Sequence, residues 1–109
     1  MSNVKFGADL LVEGGRIGGH IIITENEFIW KPVKFGFVGN VQPTEVPIND
    51  LVGFIKDETT LYIGAEGYPE YLAFYTWQGQ SIIDAIKIRI LHLECMQPMN
   101  TQNRLALDV

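Results

Sequence analysis

The chain has 109 residues, 47% of them hydrophobic and 19% charged, with a formal net charge of −5. This size suits one domain around one core, and the apolar content excludes intrinsic disorder. The acidic balance disfavours a general affinity for nucleic acid or anionic lipid. One cysteine excludes an intramolecular disulfide, and the first residues lack an apolar signal region, so we expect a cytoplasmic protein.

Short apolar runs separated by turn residues predict antiparallel strands from about residue 9 to residue 77. A polar lead-in over residues 1–8 precedes them. Four glycines between 14 and 19 indicate a turn or a bulge. In the strand 27–33, Phe28 and Trp30 share one face, and Pro32 ends the pairing because it has no amide to donate. The remaining strands are expected at 9–13, 20–24, 44–48, 51–56, 59–63 and 70–77.

The stretch Ser81 to Cys95 predicts the one long helix, reaching about residue 96. Ser81 and Asp84 have the spacing of a capping box. The alternation of Ile86 with its neighbours also fits a strand, but about fifteen residues is too long for one. A helix places one apolar stripe towards the sheets: Ile82, Ile83, Ala85, Ile86, Ile90, Leu93 and Met96. The predicted class is therefore mainly β (α+β), with a tail over residues 97–109.

Two segments carry a resemblance to a known family. Residues 19–30 are similar to the GRAM pattern of a glycine, an aliphatic strand ending in threonine, a tight turn and an aliphatic-aromatic strand. Residues 46–52 resemble the proline- and aspartate-containing segment that follows it. The chain thus resembles a GRAM-type domain of the pleckstrin-homology-like superfamily over about residues 8–96. The resemblance implies a barrel of six to seven antiparallel strands capped by one C-terminal helix. It also implies a binding or scaffolding role without catalysis.

Four cationic or titratable residues are candidates for an anion site. Some relatives of the GRAM type read phosphoinositides, and a phosphate site needs several donors aimed at one point. Arg16, His20, Lys31 and Lys34 would supply them if they meet near the open end of the barrel. The alternative is that they are four unrelated surface residues.

Phe35 and Phe37 flank a glycine in a predicted loop, where strand formation does not require aromatic residues. One interpretation is an exposed wedge that contacts a partner protein or a membrane surface. The other is that both rings fold back over the mouth of the barrel.

A second apolar stripe lies nearly opposite the first on the predicted helix. It contains Ile88, Leu91 and Cys95, and a helix that caps its own barrel buries only one face. The stripe predicts an oligomer contact or a groove for the tail residues Leu105 and Leu107. An exposed stripe without a partner is the third possibility.

No constellation of residues predicts an active site. His92 and Cys95 are three apart, but a zinc site needs further ligands that the sequence does not supply, so we expect no metal and no cofactor. The leading hypothesis is a non-catalytic binding domain that contacts a protein partner or forms a homo-oligomer. Peripheral membrane or anion binding is the alternative, and an enzyme with a pocket of scattered residues is a second alternative.

Overall fold

The computed structural model describes residues 1–33 and 41–96 of the chain, with side chains as far as residue 93. Within these residues, nine strands and a short 3-10 helix precede one long α-helix, which confirms the expected mainly β class, although the strands number nine and not the expected six to seven. The strands are β1 (Val4–Gly7), β2 (Asp9–Val12), β3 (Gly15–Ile17), β4 (Gly19–Ile23), β5 (Glu27–Pro32), β6 (Thr44–Pro47), β7 (Leu51–Asp57), β8 (Thr60–Ala65) and β9 (Leu72–Tyr75); the 3-10 helix is η1 (Ile48–Asp50) and the α-helix is α1 (Gly79–Met96).

All pairs of neighbouring strands in the two sheets are antiparallel. The four-stranded sheet has the order β1-β4-β5-β6, and the five-stranded sheet has the order β3-β2-β9-β8-β7. Among the described strands, β6 and β7 are not hydrogen-bonded to each other, so the arrangement is open at that point. Helix α1 contacts η1 and β7 beside this opening. The C-terminal helix therefore caps the sheets, as predicted.

A long bent hairpin joins the two sheets. Its first arm runs through β1 and β2, its second through β3 and β4, and the arms pair on both sides of the bend. At the bend the Ala8 amide donates to the Gly19 carbonyl at 3.1 Å, and the Trp30 indole donates to the Ala8 carbonyl at 2.9 Å. A Cβ on Gly19 would lie 2.5 Å from the Lys31 carbonyl oxygen and 2.6 Å from the Trp30 ring. Only glycine permits this approach.

The core lies between the sheets and the helix. On α1, Ile82 and Ile86 are fully buried and Ile90 almost so, as the helical period predicts. The Phe28 and Phe74 rings belong to the same core, with centroids 5.8 Å apart and a tilt of 60°. The helix excludes the alternative of another strand at this position. Within the described residues, no helix combines the length and apolar character that crossing a membrane requires.

A buried arginine fixes the helix to two distant parts of the chain. Arg89 is only 4% exposed, and its guanidinium donates to three main-chain carbonyls. The acceptors are Ser2 at 2.8 Å, Thr24 at 2.7 Å and Ala85 at 3.0 Å. A buried charge needs such partners because leaving it without hydrogen bonds is very unfavourable. The contacts tie the N-terminus and the β4–β5 turn to α1.

The helix begins two residues before the predicted Ser81. The Ile82 amide donates to the Gln78 carbonyl at 2.9 Å, which makes Gln78 the residue at which helical bonding starts. The Gln78 amide is itself bonded to the Thr76 hydroxyl at 3.0 Å, so the chain already turns there. Ser81 lies inside the first turn, and the predicted capping box is wrong.

The predicted lead-in over residues 1–8 is also wrong from Val4 onwards. Residues 4–7 form β1, and all four of them pair with residues 20–23 of β4. The aliphatic strand β4 supplies ladder partners for both β1 and β5, and this pairing orders a segment that looks polar in isolation.

Candidate functional site

The five-stranded sheet presents an apolar surface on the side away from the core. Residues directly opposite each other in an antiparallel ladder share a face, and Ile55, Tyr62 and Ala73 form such a row across β7, β8 and β9. Val52 and Ile55 are each 48% exposed, and Trp77 is 80% exposed. We call this surface the outer face; its members are Val52, Ile55, Tyr62, Tyr71, Ala73, Tyr75 and Trp77.

A glycine in β8 lets one tyrosine of the outer face lie close to the sheet. A Cβ on Gly64 would come within 3.0 Å of two ring carbons of Tyr71 and 3.2 Å of a Val52 methyl. The ring therefore covers the glycine, and Tyr71 and Val52 meet above it. Neither side chain is free to move towards the sheet, which makes this part of the outer face a continuous surface.

An arginine, a tyrosine and a tryptophan form a chain of contacts at the other end of the outer face. The Arg16 guanidinium carbon lies 4.2 Å from the centroid of the Tyr75 ring. The Trp77 ring meets Tyr75 edge to face, at 6.2 Å and 84°. Asp9 is the ladder partner of Tyr75, and its Oδ2 lies 3.4 Å from the Arg16 Nε. One carboxylate, one cation and two aromatic rings thus share this corner.

A cleft of about 300 Å³ opens beside Trp77. The Thr76 hydroxyl donates to the Gly7 carbonyl at 2.8 Å and accepts from the Gln78 amide. It therefore links the end of β1 to the residues that follow β9. The Gln78 side chain accepts from the Gly7 amide at 3.3 Å. The lining consists of Gly7, Ala8, Asp9, Tyr75, Thr76, Trp77 and Gln78.

Carboxylates lie at both ends of the sheet that carries the outer face. In residues 9–17 and 51–77, all of them described, six carboxylates stand against two cations. Five of the acids are exposed residues in or beside the turns at the two ends of the sheet, and the sixth is Asp9 in β2. The acids are Asp9, Glu13, Asp57, Glu58, Glu66 and Glu70, and the cations are Arg16 and Lys56. We call the turn acids the acidic rim.

The structure brings together only part of the predicted anion site. His20 and Lys31 are ladder partners in β4 and β5, so their side chains share a face. Arg16 belongs to the other sheet and contacts Asp9 and Tyr75 instead. Lys34 lies outside the described residues. Anion binding at His20 and Lys31 stays a prediction.

The second helix stripe is exposed where the structure describes it. Ile88 and Leu91 are each 53% exposed. Cys95 belongs to α1, but its side chain lies outside the described residues, as do Phe35, Phe37 and the tail over 97–109. An oligomer contact or tail groove on this stripe therefore stays a prediction.

His92, considered from the sequence as a zinc ligand, lies at the surface beside Glu25 and the N-terminus. His92 Nε2 lies 3.8 Å from Glu25 Oε1, and the Met1 amine lies 3.6 Å from the same oxygen. In the part of the chain that the structure describes, no three or more His, Cys, Asp or Glu residues are grouped so that they could hold a metal ion.

The sequence interpretation missed the outer face and the cleft. Tyr75 and Trp77 alternate with Phe74 and Thr76 in the last strand, and both sets are apolar enough that the sequence pattern does not decide which one is buried. The structure buries Phe74 and Thr76 and exposes Trp77. The available signal was chemical, because tyrosine and tryptophan carry a polar group that favours a partly solvated surface, whereas phenylalanine does not.

No protein-family model matches the chain, and no curated protein matches it in sequence. Among solved structures, it is similar to the crystal structure of the C-terminal domain of an unknown protein from Leishmania infantum, with a TM-score of 0.64. The two chains are 10% identical, and the match covers 79% of this chain and 80% of that one. At this identity the likeness concerns the fold alone.

Proposed function

We propose that this chain is a non-catalytic cytoplasmic binding domain whose outer face docks a cationic segment of a partner protein. The observation that carries the proposal is an aromatic and aliphatic surface, exposed on one sheet and flanked at both ends of that sheet by the acidic rim. Contiguous exposed apolar surface of this kind is typical of interaction sites. Tyrosine and tryptophan are also the residues that most often anchor protein interfaces.

The negative charge of the acidic rim distinguishes between the possible binding partners of the outer face. A second copy docked face to face would bring two acidic rims together, and like charges across an interface are unfavourable. Anionic lipid headgroups and nucleic acid would be repelled in the same way. A lysine- or arginine-containing segment gains from the rim and from cation–π contact with the exposed rings. A basic protein segment is therefore the occupant that the surface favours.

Binding without catalysis is supported by the lining of the cleft. The Thr76 hydroxyl donates its proton to the Gly7 carbonyl and accepts from the Gln78 amide, and a main-chain carbonyl is too weak a base to activate a hydroxyl as a nucleophile. Asp9 contacts the Arg16 guanidinium. These groups suit the holding of a ligand better than the transfer of a proton.

Kinship with pleckstrin-homology-like, GRAM-type domains is part of the same proposal. Its support is the order of the elements, namely antiparallel strands in two sheets followed by a capping helix, together with the residue patterns at 19–30 and 46–52.

Selection from a random peptide library displayed on phage tests the proposed function. The bait is the wild-type chain, and the counter-selection uses the triple variant Ile55→Ser, Tyr62→Ser and Trp77→Ser. A matched control variant, Ile88→Ser with Leu91→Ser, removes exposed apolar groups from the helix instead. We expect enriched peptides rich in lysine and arginine that bind the wild type and the helix variant equally. Their affinity for the triple variant should fall at least about tenfold, as for the loss of interface anchors.

Two results of that selection would refute the proposed function. One is a set of enriched peptides without excess positive charge. The other is equal binding to the wild type and the triple variant, with far-UV circular dichroism showing that the variant is folded.

A further inference from the structure

We propose that the cleft beside Trp77 binds one cationic side chain, an arginine or a lysine, inserted by the partner. The inference rests on the proposed function and names the group that anchors the partner to the edge of the outer face. The walls of the cleft are the bend between β1 and β2 on one side and residues 75–78 on the other.

The size of the cleft suits a single side chain. Its volume of about 300 Å³ lies at the lower end of the range for small-molecule sites. It is open towards the outer face, because Tyr75 and Trp77 belong to both surfaces. A peptide lying on the outer face can therefore place one long side chain in the cleft.

The electrostatics favour a cation. Among the described residues, the Asp9 carboxylate has one cationic neighbour, Arg16, whose Nε lies 3.4 Å from Oδ2. This distance exceeds that of a strong charge-assisted hydrogen bond, roughly 2.7–2.9 Å. A carboxylate accepts several hydrogen bonds, so Asp9 retains capacity for a second donor. The exposed Trp77, which also lines the cleft, adds an aromatic ring that can contact a cation.

Arg16 shows how a guanidinium binds to these groups. It already combines a stacked position on the Tyr75 ring with an ion pair to Asp9. A partner cation would approach the same carboxylate from the side of Trp77. Arg16 then acts as a competitor, because two cations share one negative charge. Its removal should strengthen binding, which a purely structural role for Arg16 does not predict.

Titration with N-acetyl-arginine amide, followed by 15N NMR at constant ionic strength, tests the cleft. The matched neutral probe is N-acetyl-citrulline amide, which keeps the shape and lacks the charge. We expect saturable shifts at Asp9, Thr76, Trp77 and Gln78 with a Kd of about 10–100 mM, as for one exposed ion pair with one cation–π contact. The citrulline probe should not saturate.

Point variants test which side chains contribute to binding of the arginine probe. Asp9→Asn should weaken arginine binding about two- to fivefold, as expected for the loss of an exposed ion pair. Asp57→Asn is the control, since it removes an equal charge from the same sheet without lining the cleft. Arg16→Gln should tighten binding about two- to fivefold, because it removes the competing cation. Trp77→Ser, at an exposed position, provides a second loss-of-binding variant.

Any of three outcomes would overturn the inference: equal saturation by the citrulline probe, equal effects of the two aspartate variants, or weaker binding after Arg16→Gln. If the peptide selection succeeds and one of these outcomes is also observed, the proposed cation site in the cleft is refuted and the proposed function of the outer face stands. Failure of the selection together with saturable, Asp9-dependent arginine binding would refute the proposed function and leave a cation site alone.

Discussion

Replacement of Arg89 by methionine tests how the helix is fixed to the sheets. Methionine fills a similar volume but cannot donate to the Ser2, Thr24 and Ala85 carbonyls that the guanidinium now binds. Each hydrogen bond from a charged group contributes roughly 1.5–3 kcal/mol. The sum is an upper limit, because the variant also escapes the unfavourable burial of a charge. We expect the free energy of unfolding to fall by about 2–4 kcal/mol.

The assay is equilibrium unfolding in urea, followed by circular dichroism and by tryptophan fluorescence, in which the buried Trp30 changes environment and the exposed Trp77 does so much less. For a chain of this length, about 2–4 kcal/mol corresponds to a decrease in Tm of about 9–17 °C. Arg89→Lys separates charge from geometry, because an ammonium group does not reproduce the planar fork of donors. We expect lysine to recover less than half of the loss. Lys5→Met, at an exposed position of β1, is the control and should change stability by less than about 0.5 kcal/mol.

A loss below about 0.5 kcal/mol in Arg89→Met would contradict the reasoning, since it would equal the effect of an ordinary surface substitution. Full recovery by lysine would show that charge alone matters. A double-mutant cycle measures the contribution of the contact between Arg89 and Ser2. Deletion of residues 1–3 removes the Ser2 acceptor, so it should destabilise the wild type more than it destabilises Arg89→Met.

Three further predictions concern the bend, the helix stripe and the anion site. Gly19→Ala should cost at least about 3 kcal/mol in urea unfolding, because the new Cβ meets the Lys31 main-chain oxygen at 2.5 Å; Gly15→Ala, with no atom within 4 Å of its Cβ, should cost less than about 1 kcal/mol. Equal costs would show that the bend tolerates a side chain. Leu91→Glu should convert a dimer into a monomer in sedimentation velocity, and an unchanged profile would exclude the helix stripe as an oligomer contact. Short-chain inositol phosphates should shift the amides of His20 and Lys31 in 15N NMR; no movement above millimolar ligand would end the anion-site hypothesis.

Local periodicity made much of the fold predictable from the sequence. The isoleucines of the helix recur at the spacing that one buried stripe requires, and Ile82, Ile86 and Ile90 are indeed buried. Phe28 and Trp30 alternate with exposed or half-buried neighbours in β5, as predicted for a strand with one face in the core.

The candidate site was not predictable in this way, because it depends on pairings between distant residues. Asp9 and Tyr75 become neighbours only through the register of β2 and β9. Arg89 and Ser2 are 87 positions apart in sequence. Nothing in the surroundings of Arg89 in the sequence distinguishes it from a solvated helix cation, since its acceptors are main-chain carbonyls that every residue possesses.

The hairpin that bends at Ala8 and Gly19 has a consequence for how the molecule loses its structure. Each sheet contains two strands of this hairpin, one from each arm, so opening of the hairpin removes ladder pairs from both sheets. Melting should accordingly be all-or-none, with one transition midpoint shared by every probe. The hydrogen-bonded amides of β1 and β9 should then show the same free energy of opening in hydrogen exchange, because both exchange through the same rare opening of the whole structure.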